Sequence, residues 1–104
     1  MCIWVKILVY EKHSMLIEFD SNKRDKTLAE RGIDFADAAK VFAGVSIQFD
    51  DNRQDYGERR IITVGFLNDR MTIVVWTPHG ENRRIISMRK ANEREITEYK
   101  SRLD

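Results

Sequence analysis

The apolar positions of this chain fall in blocks whose spacing switches from strand-like to helical and back. Met1 to Tyr10 is a β-type run rich in Ile, Val and Trp, interrupted by Lys6 and ended by Glu11-Lys12-His13-Ser14. Met15 to Phe19 starts a second short strand. Asp20 or Ser21 can cap a helix over Asn22–Arg31, and Gly32 is placed to stop it. Asp34 can cap a second helix, in which Phe35, Ala38, Ala39 and Phe42 keep the i, i+3, i+4, i+7 spacing of a buried stripe; Ala43-Gly44 ends it.

From Val45 the texture is that of strands. Ser46–Phe49 leads into the polar cluster Asp50-Asp51-Asn52 and a loop through Gly57. Arg60–Leu67 and Met71–Trp76 are β-rich runs joined by the hairpin signal Asn68-Asp69-Arg70. Thr77 to Asn82 forms the next turn and Arg83–Lys90 the last strand. Asn92 with Glu95 makes a capping-box-like start to a final helix, with Ile96, Tyr99 and Leu103 near one face. The order predicts an α+β domain: two N-terminal helices, an antiparallel sheet of three to four strands or more, and a C-terminal helix. Residues 1–14 read as an N-terminal extension or extra strand, and 15–104 as the principal domain.

Composition narrows the function classes. A chain of 104 residues supports one domain with a single modest core. The lone Cys2 excludes an intramolecular disulfide, and two histidines with one cysteine do not make a structural zinc set, so no metal or cofactor is expected. No apolar run reaches membrane-span length, and no small-residue cleavage site follows Ile3–Val9; the cytoplasm is the expected compartment.

Net charge is +1, but its distribution is lopsided. Residues 1–58 hold 8 basic and 11 acidic side chains, whereas 59–104 hold 10 basic and 6 acidic. A basic face of this kind suits an anionic ligand or an acidic partner.

The densest chemistry lies in Arg83-Arg84-Ile85-Ile86-Ser87-Met88-Arg89-Lys90, four cations around a short apolar strand core. Unpaired charge is costly to bury, so these ends must reach water, acidic groups or phosphate, for which Arg is the best-shaped side chain. Glu58-Arg59-Arg60 enters an earlier strand, and antiparallel pairing can bring Arg59 and Arg60 toward Arg84, Arg89 and Lys90. Cations beside a carboxylate suit metal-free phosphodiester chemistry, with Glu58 as base and His79, exposed in a Pro-Gly turn, as acid. Salt bridges to nearby acids are the competing structural explanation for each arginine. In a regular strand Arg84 and Arg89 point to opposite faces, so they share a site only if a bulge re-aims one of them. Trp4 and Trp76 are assigned to the core rather than to base stacking; His13 and Cys2 receive no role.

Phe19-Asp20, Lys23, Arg31-Gly32-Ile33-Asp34-Phe35, Ala38, Val41-Phe42, Glu58-Arg59, Gly65, Val74-Val75, Thr77 and Arg84-Ile85-Ile86-Ser87-Met88-Arg89-Lys90-Ala91 together resemble the BrnT toxins of bacterial type II toxin–antitoxin pairs. The resemblance covers about Met15 to Tyr99, and its most specific part is the segment from Arg84 to Ala91. It implies a RelE-like fold, ribonuclease activity that halts translation, and neutralisation by a ribbon-helix-helix antitoxin of the BrnA type. The complex would reach operator DNA only through the antitoxin. Arg59, Arg84, Arg89 and Lys90 match motif positions and are carried over as RNA-phosphate contacts, with Arg59 and Arg84 at the scissile group; Glu58 and His79 rest on chemistry alone.

Two departures stand out. Met1–Ser14 precede the usual family start, and His79 stands where relatives commonly carry Arg or another polar residue. The apolar N-terminal run is expected to pair with a sheet edge of its own domain or of a second copy, which would favour a homodimer. The rival from another class is a non-catalytic module that binds its antitoxin and acts as a co-repressor.

Overall fold

The computed structural model describes residues 4–9 and 15–103; Cys2, His13 and the connector Glu11–Ser14 lie outside them. Strands β1 (Trp4–Val9) and β2 (Met15–Asp20) come first, followed by helix α1 (Ser21–Arg31). A 3-10 turn (Phe35–Asp37) runs into the short helix α2 (Ala38–Ala43). Strands β3 (Ile47–Asp50), β4 (Ile61–Leu67), β5 (Arg70–His79) and β6 (Asn82–Lys90) then lead to helix α3 (Glu93–Leu103). The described strands form one six-stranded sheet in the order β1-β2-β6-β5-β4-β3.

Local chemistry sets the element ends. The Asp20 carboxylate accepts from the amides of Asn22 (2.8 Å) and Lys23 (3.3 Å), and Gly32 closes α1 in the left-handed conformation at φ 69°. Asn68 and Asp69 both take positive φ, as a two-residue hairpin between β4 and β5 requires. At α3, the Asn92 side chain accepts from the Glu95 amide and Glu95 accepts from the Asn92 amide, a reciprocal capping box.

The architecture is α+β, as the sequence predicts, with two corrections. The sheet is mixed rather than wholly antiparallel, because β2 pairs with β6 in parallel, Glu18 standing opposite Arg84. Parallel pairing joins segments far apart in sequence and needs no turn between them, so no turn signal announces it. The helix expected from Asp34 to Ala43 is divided: Asp34 caps a 3-10 turn through the Ala36 amide, and only the last six residues are α-helical. Of the predicted stripe, Phe35 and Ala38 are buried and Ala39 and Phe42 pack partly buried against the same core, while Val41, outside the stripe, is fully buried.

Each face of the sheet carries a core. Ile17, Phe19, Ile61, Val74, Trp76, Ile85 and Met88 pack with Phe35, Ala38 and Val41 on the α2 side. Val64, Met71 and Ile73 pack with Leu103 and Tyr99 of α3 on the other. Trp76 is a core residue whose indole N–H donates to the Thr63 hydroxyl at 2.8 Å. No helix among the described residues is long and apolar enough to cross a membrane.

Candidate active site

A break in the β5–β6 ladder decides which side chains meet. Val75 is opposite Ser87, but Trp76 is opposite Ile85, so Ile86 is an extra residue in β6. A bulge of this kind reverses the alternation on either side of it. Ile85 and Met88, three residues apart, accordingly both enter the α2-side core. Arg84, Ser87 and Arg89 are thereby brought to the α3 side of the sheet.

At one end of that face lies a buried carboxylate. Glu18, between the core residues Ile17 and Phe19, has a side chain only 1% exposed. Its Oε2 accepts from Asn82 Nδ2 at 2.8 Å and lies 2.9 Å from His79 Nδ1; its Oε1 accepts from Arg84 Nη2 at 3.1 Å. The strand register explains the convergence. Glu18 and Thr77 flank Arg84 across three strands, and His79 faces Asn82 at the end of the β5–β6 hairpin. Gly80 makes that hairpin turn at φ 62°. Burial by itself would push the Glu18 carboxyl up, but hydrogen bonds from His79, Asn82 and Arg84 outweigh it and bring the pKa down to about 2.

Arg84 Nη2 lies 3.1 Å from His79 Nδ1 and 3.5 Å from Nε2, alongside the ring. A carboxylate can only accept and a guanidinium can only donate, so Nδ1 cannot serve both. With its proton on the Glu18 side, Nδ1 is fixed as donor and Nε2 becomes the nitrogen that handles protons. His79 is 55% exposed while the carboxylate beneath it is buried. The pair is an oriented imidazole at the surface.

Further along the same face, Arg89 makes a fork-to-fork pair with Glu95 of α3, both bonds 2.7 Å. That pair and the capping-box amide hold Glu95 at about 2, the Arg89 bonds dominating over burial. Ser87, Arg89 and Arg94 line a depression of about 300 Å³ with Arg53. Arg53 is itself held by the buried Asp51 through two bonds of 2.7 and 2.8 Å.

The remaining sequence candidates lie elsewhere. Arg59 is exposed and donates to Asp50 at 2.8 Å, although its carbonyl accepts from Thr77 and so lies beside the row containing Arg84. Glu58 is 3.5 Å from Arg60 and opens onto a separate depression with Asp55, Tyr56 and Arg59. Lys90 is exposed at the far end of β6, six residues or about 20 Å of strand beyond Arg84. It lines a recess with Ile33 and Thr72. The structure therefore gathers Arg84 with His79, aligns Arg89 on the same face, and keeps Lys90 and Glu58 apart from that pair.

Nothing in the sequence singles out Glu18. An acid between two apolar strand residues alternates like an ordinary solvent-facing position, and its burial depends on partners more than sixty residues away. Among the described residues, no three His, Cys, Asp or Glu side chains are placed to hold a metal ion together.

Arg84 with His79, and Arg89 further along, thus share the α3 side of a mixed sheet. Residues 19–95 match the family described as the ribonuclease toxin BrnT of type II toxin–antitoxin systems, and the chain belongs to that family. The match starts one residue after Glu18. No curated protein matches the chain.

Proposed function

We propose that this protein is a metal-independent endoribonuclease toxin that cleaves RNA at the Glu18–His79–Arg84 end of its sheet and so inhibits translation. The supporting observation is the buried Glu18 carboxylate that holds an exposed histidine beside an arginine. Arg84 engages the scissile phosphate and Arg59, beside Thr77, assists it. The ribose 2′-oxygen forms a bond to phosphorus as its proton passes to water and on to Glu58, in the neighbouring depression that Glu58 shares with Arg59. The bond from phosphorus to the 5′-oxygen then breaks, and His79 Nε2 gives that oxygen a proton. The products are a 2′,3′-cyclic phosphate and a 5′-hydroxyl. Arg89 follows the same face and binds a flanking phosphate by exchanging Glu95 for it; Lys90, at the far end of β6, gives peripheral support.

The architecture is read as RelE-like, on the strength of the consecutive antiparallel strands β3–β6 followed by α3. The type II family implies an antitoxin. The proposed partner is a BrnA-like ribbon-helix-helix protein, through which alone the pair reaches operator DNA. The cytoplasm, where RNA is met, is the proposed compartment. Strand β1 pairs with β2 of its own domain, which supports treating residues 1–14 as an added edge strand; a homodimer within the complex remains part of the proposal.

Cleavage of a single-stranded RNA in excess chelator tests the reading. The expected products carry cyclic phosphate ends, and Arg84→Ala lowers the rate by about a hundredfold to a thousandfold, as for other preorganised donors. A folded Arg84→Ala protein of wild-type activity removes Arg84 from the site. The second reading, a non-catalytic antitoxin-binding module, draws on the ion-pairing of Arg59, Arg84 and Arg89. It predicts antitoxin binding without growth arrest.

A further inference from the structure

At the opposite end of β5 from His79, the α3 side of the sheet carries a groove of about 420 Å³. Its apolar floor includes Phe66, 37% exposed, Met71 of β5 and Ile96 of α3, 39% exposed. Exposed apolar side chains gathered in one groove mark a contact surface more often than isolated ones do. The rim carries Arg70, Lys90 and Lys100 against a single lining acid, Asp69. None of these three cations makes a salt bridge among the described residues, whereas Arg24, Arg53, Arg59, Arg84 and Arg89 all do. The groove therefore leaves Phe66 and Ile96 of its floor partly uncovered, beside the buried Met71, and sets three cations against one acid.

We infer that this groove anchors an acidic amphipathic segment of the antitoxin, with apolar side chains on Phe66, Met71 and Ile96 and carboxylates toward Arg70, Lys90 and Lys100. The inference rests on membership of a type II toxin family, which supplies the class of partner, and on the charge and polarity of the groove, which select the segment. RNA fits the surface less well. Its phosphates would meet the rim, but the floor is built from a methionine, an isoleucine and one partly covered ring rather than from a platform of stacking aromatics. The groove also lies nine residues along β5 from His79, about 30 Å, so a partner anchored there contacts a surface separate from the proposed cleavage site.

The test is titration of the full chain with its purified cognate antitoxin. Arg70→Glu combined with Lys100→Glu is expected to weaken binding at least tenfold, and the binding that remains should respond less to added salt. Ile96→Ser, on an exposed helix face, is expected to weaken binding while leaving the salt response unchanged. Thermal melts of the free proteins establish folding; if the charge reversals lower the melting temperature, Ile96→Ser carries the test. Wild-type affinity in the folded variants overturns the inference. So does loss of binding to a labelled single-stranded RNA with antitoxin affinity intact, which would make the groove an RNA surface. Failure of the wild-type chain to cleave RNA would count against the ribonuclease reading alone, since the antitoxin titration does not depend on it.

Discussion

Ile85 and Met88 lie three residues apart in one strand and both enter the same core, with 1% and 0% exposure. Regular alternation would send them to opposite faces, and the extra residue Ile86 is what reconciles them. The bulge brings Arg84 onto the face that holds Ser87 and Arg89. Deleting Ile86 would leave Ile85 and Met88 two residues apart in a regular ladder and keep Arg84 on the face of Ser87 and Arg89. The expected result is a protein that still folds and cleaves RNA, as measured by thermal melting and a cleavage assay; a variant that no longer folds would show that the bend of the bulge itself is needed.

Gly65 is required for close packing. A Cβ there would lie 2.9 Å from Val41 Cγ1, 3.2 Å from Ser46 Cβ and 3.3 Å from the Val41 carbonyl. Val41 is fully buried and its short branched side chain has little room to move. Gly65→Ala should destabilise the fold by about 1–3 kcal/mol through overpacking between α2 and β4. Chemical denaturation checks it; an unchanged midpoint would show that α2 shifts freely.

Stability should fall on acidification between about pH 4.5 and about pH 2. The Glu18 and Glu95 carboxyls are both lowered from 4.5 to about 2 in the folded protein. A lowered folded pKa gives stabilisation that is complete above the unfolded value and disappears as pH falls through the folded one. Asp34, lowered mainly by its bonds from Arg24, acts in the same direction. Glu95→Gln weakens the Arg89 fork and the capping box together, so it should lower the melting temperature at neutral pH and flatten its acid dependence. A variant with the wild-type acid profile would exclude Glu95 as a contributor.

Much of this fold was legible locally. Asp20 and Gly32 bracket α1, Asn92 and Glu95 start α3, and Asn68-Asp69 mark a hairpin, because caps and turns are decided by neighbouring residues. The site was less legible. Arg84 and His79 were selected by residue type and turn position, but the residue that holds them, Glu18, is recognised only once β2 is known to lie parallel to β6. The same non-local pairing fixes the end of the sheet at which Arg84 meets Glu18. Glu58 and Lys90 share the charge pattern of the cluster without sharing its location, since proximity in sequence to an arginine does not determine where a strand or loop delivers it.

Glu18 is proposed to position His79 rather than to touch RNA. Glu18→Gln preserves the side-chain shape but removes the charge that fixes the Nδ1 proton. The expected result is a kcat lowered by about tenfold or more with KM little changed. A merely structural role would lower the rate only in proportion to the protein lost to unfolding, as read from a thermal melt.

The most direct measurement of the central claim is single-turnover RNA cleavage by His79→Ala and by Arg84→Ala, each verified as folded, with the product ends identified. The account predicts that each loses about two orders of magnitude or more in rate, as expected for the loss of a proton carrier or a transition-state cation. It also predicts that the wild-type products end in a 2′,3′-cyclic phosphate. Wild-type rates in both variants, or products bearing a 3′-hydroxyl and a 5′-phosphate, would contradict it.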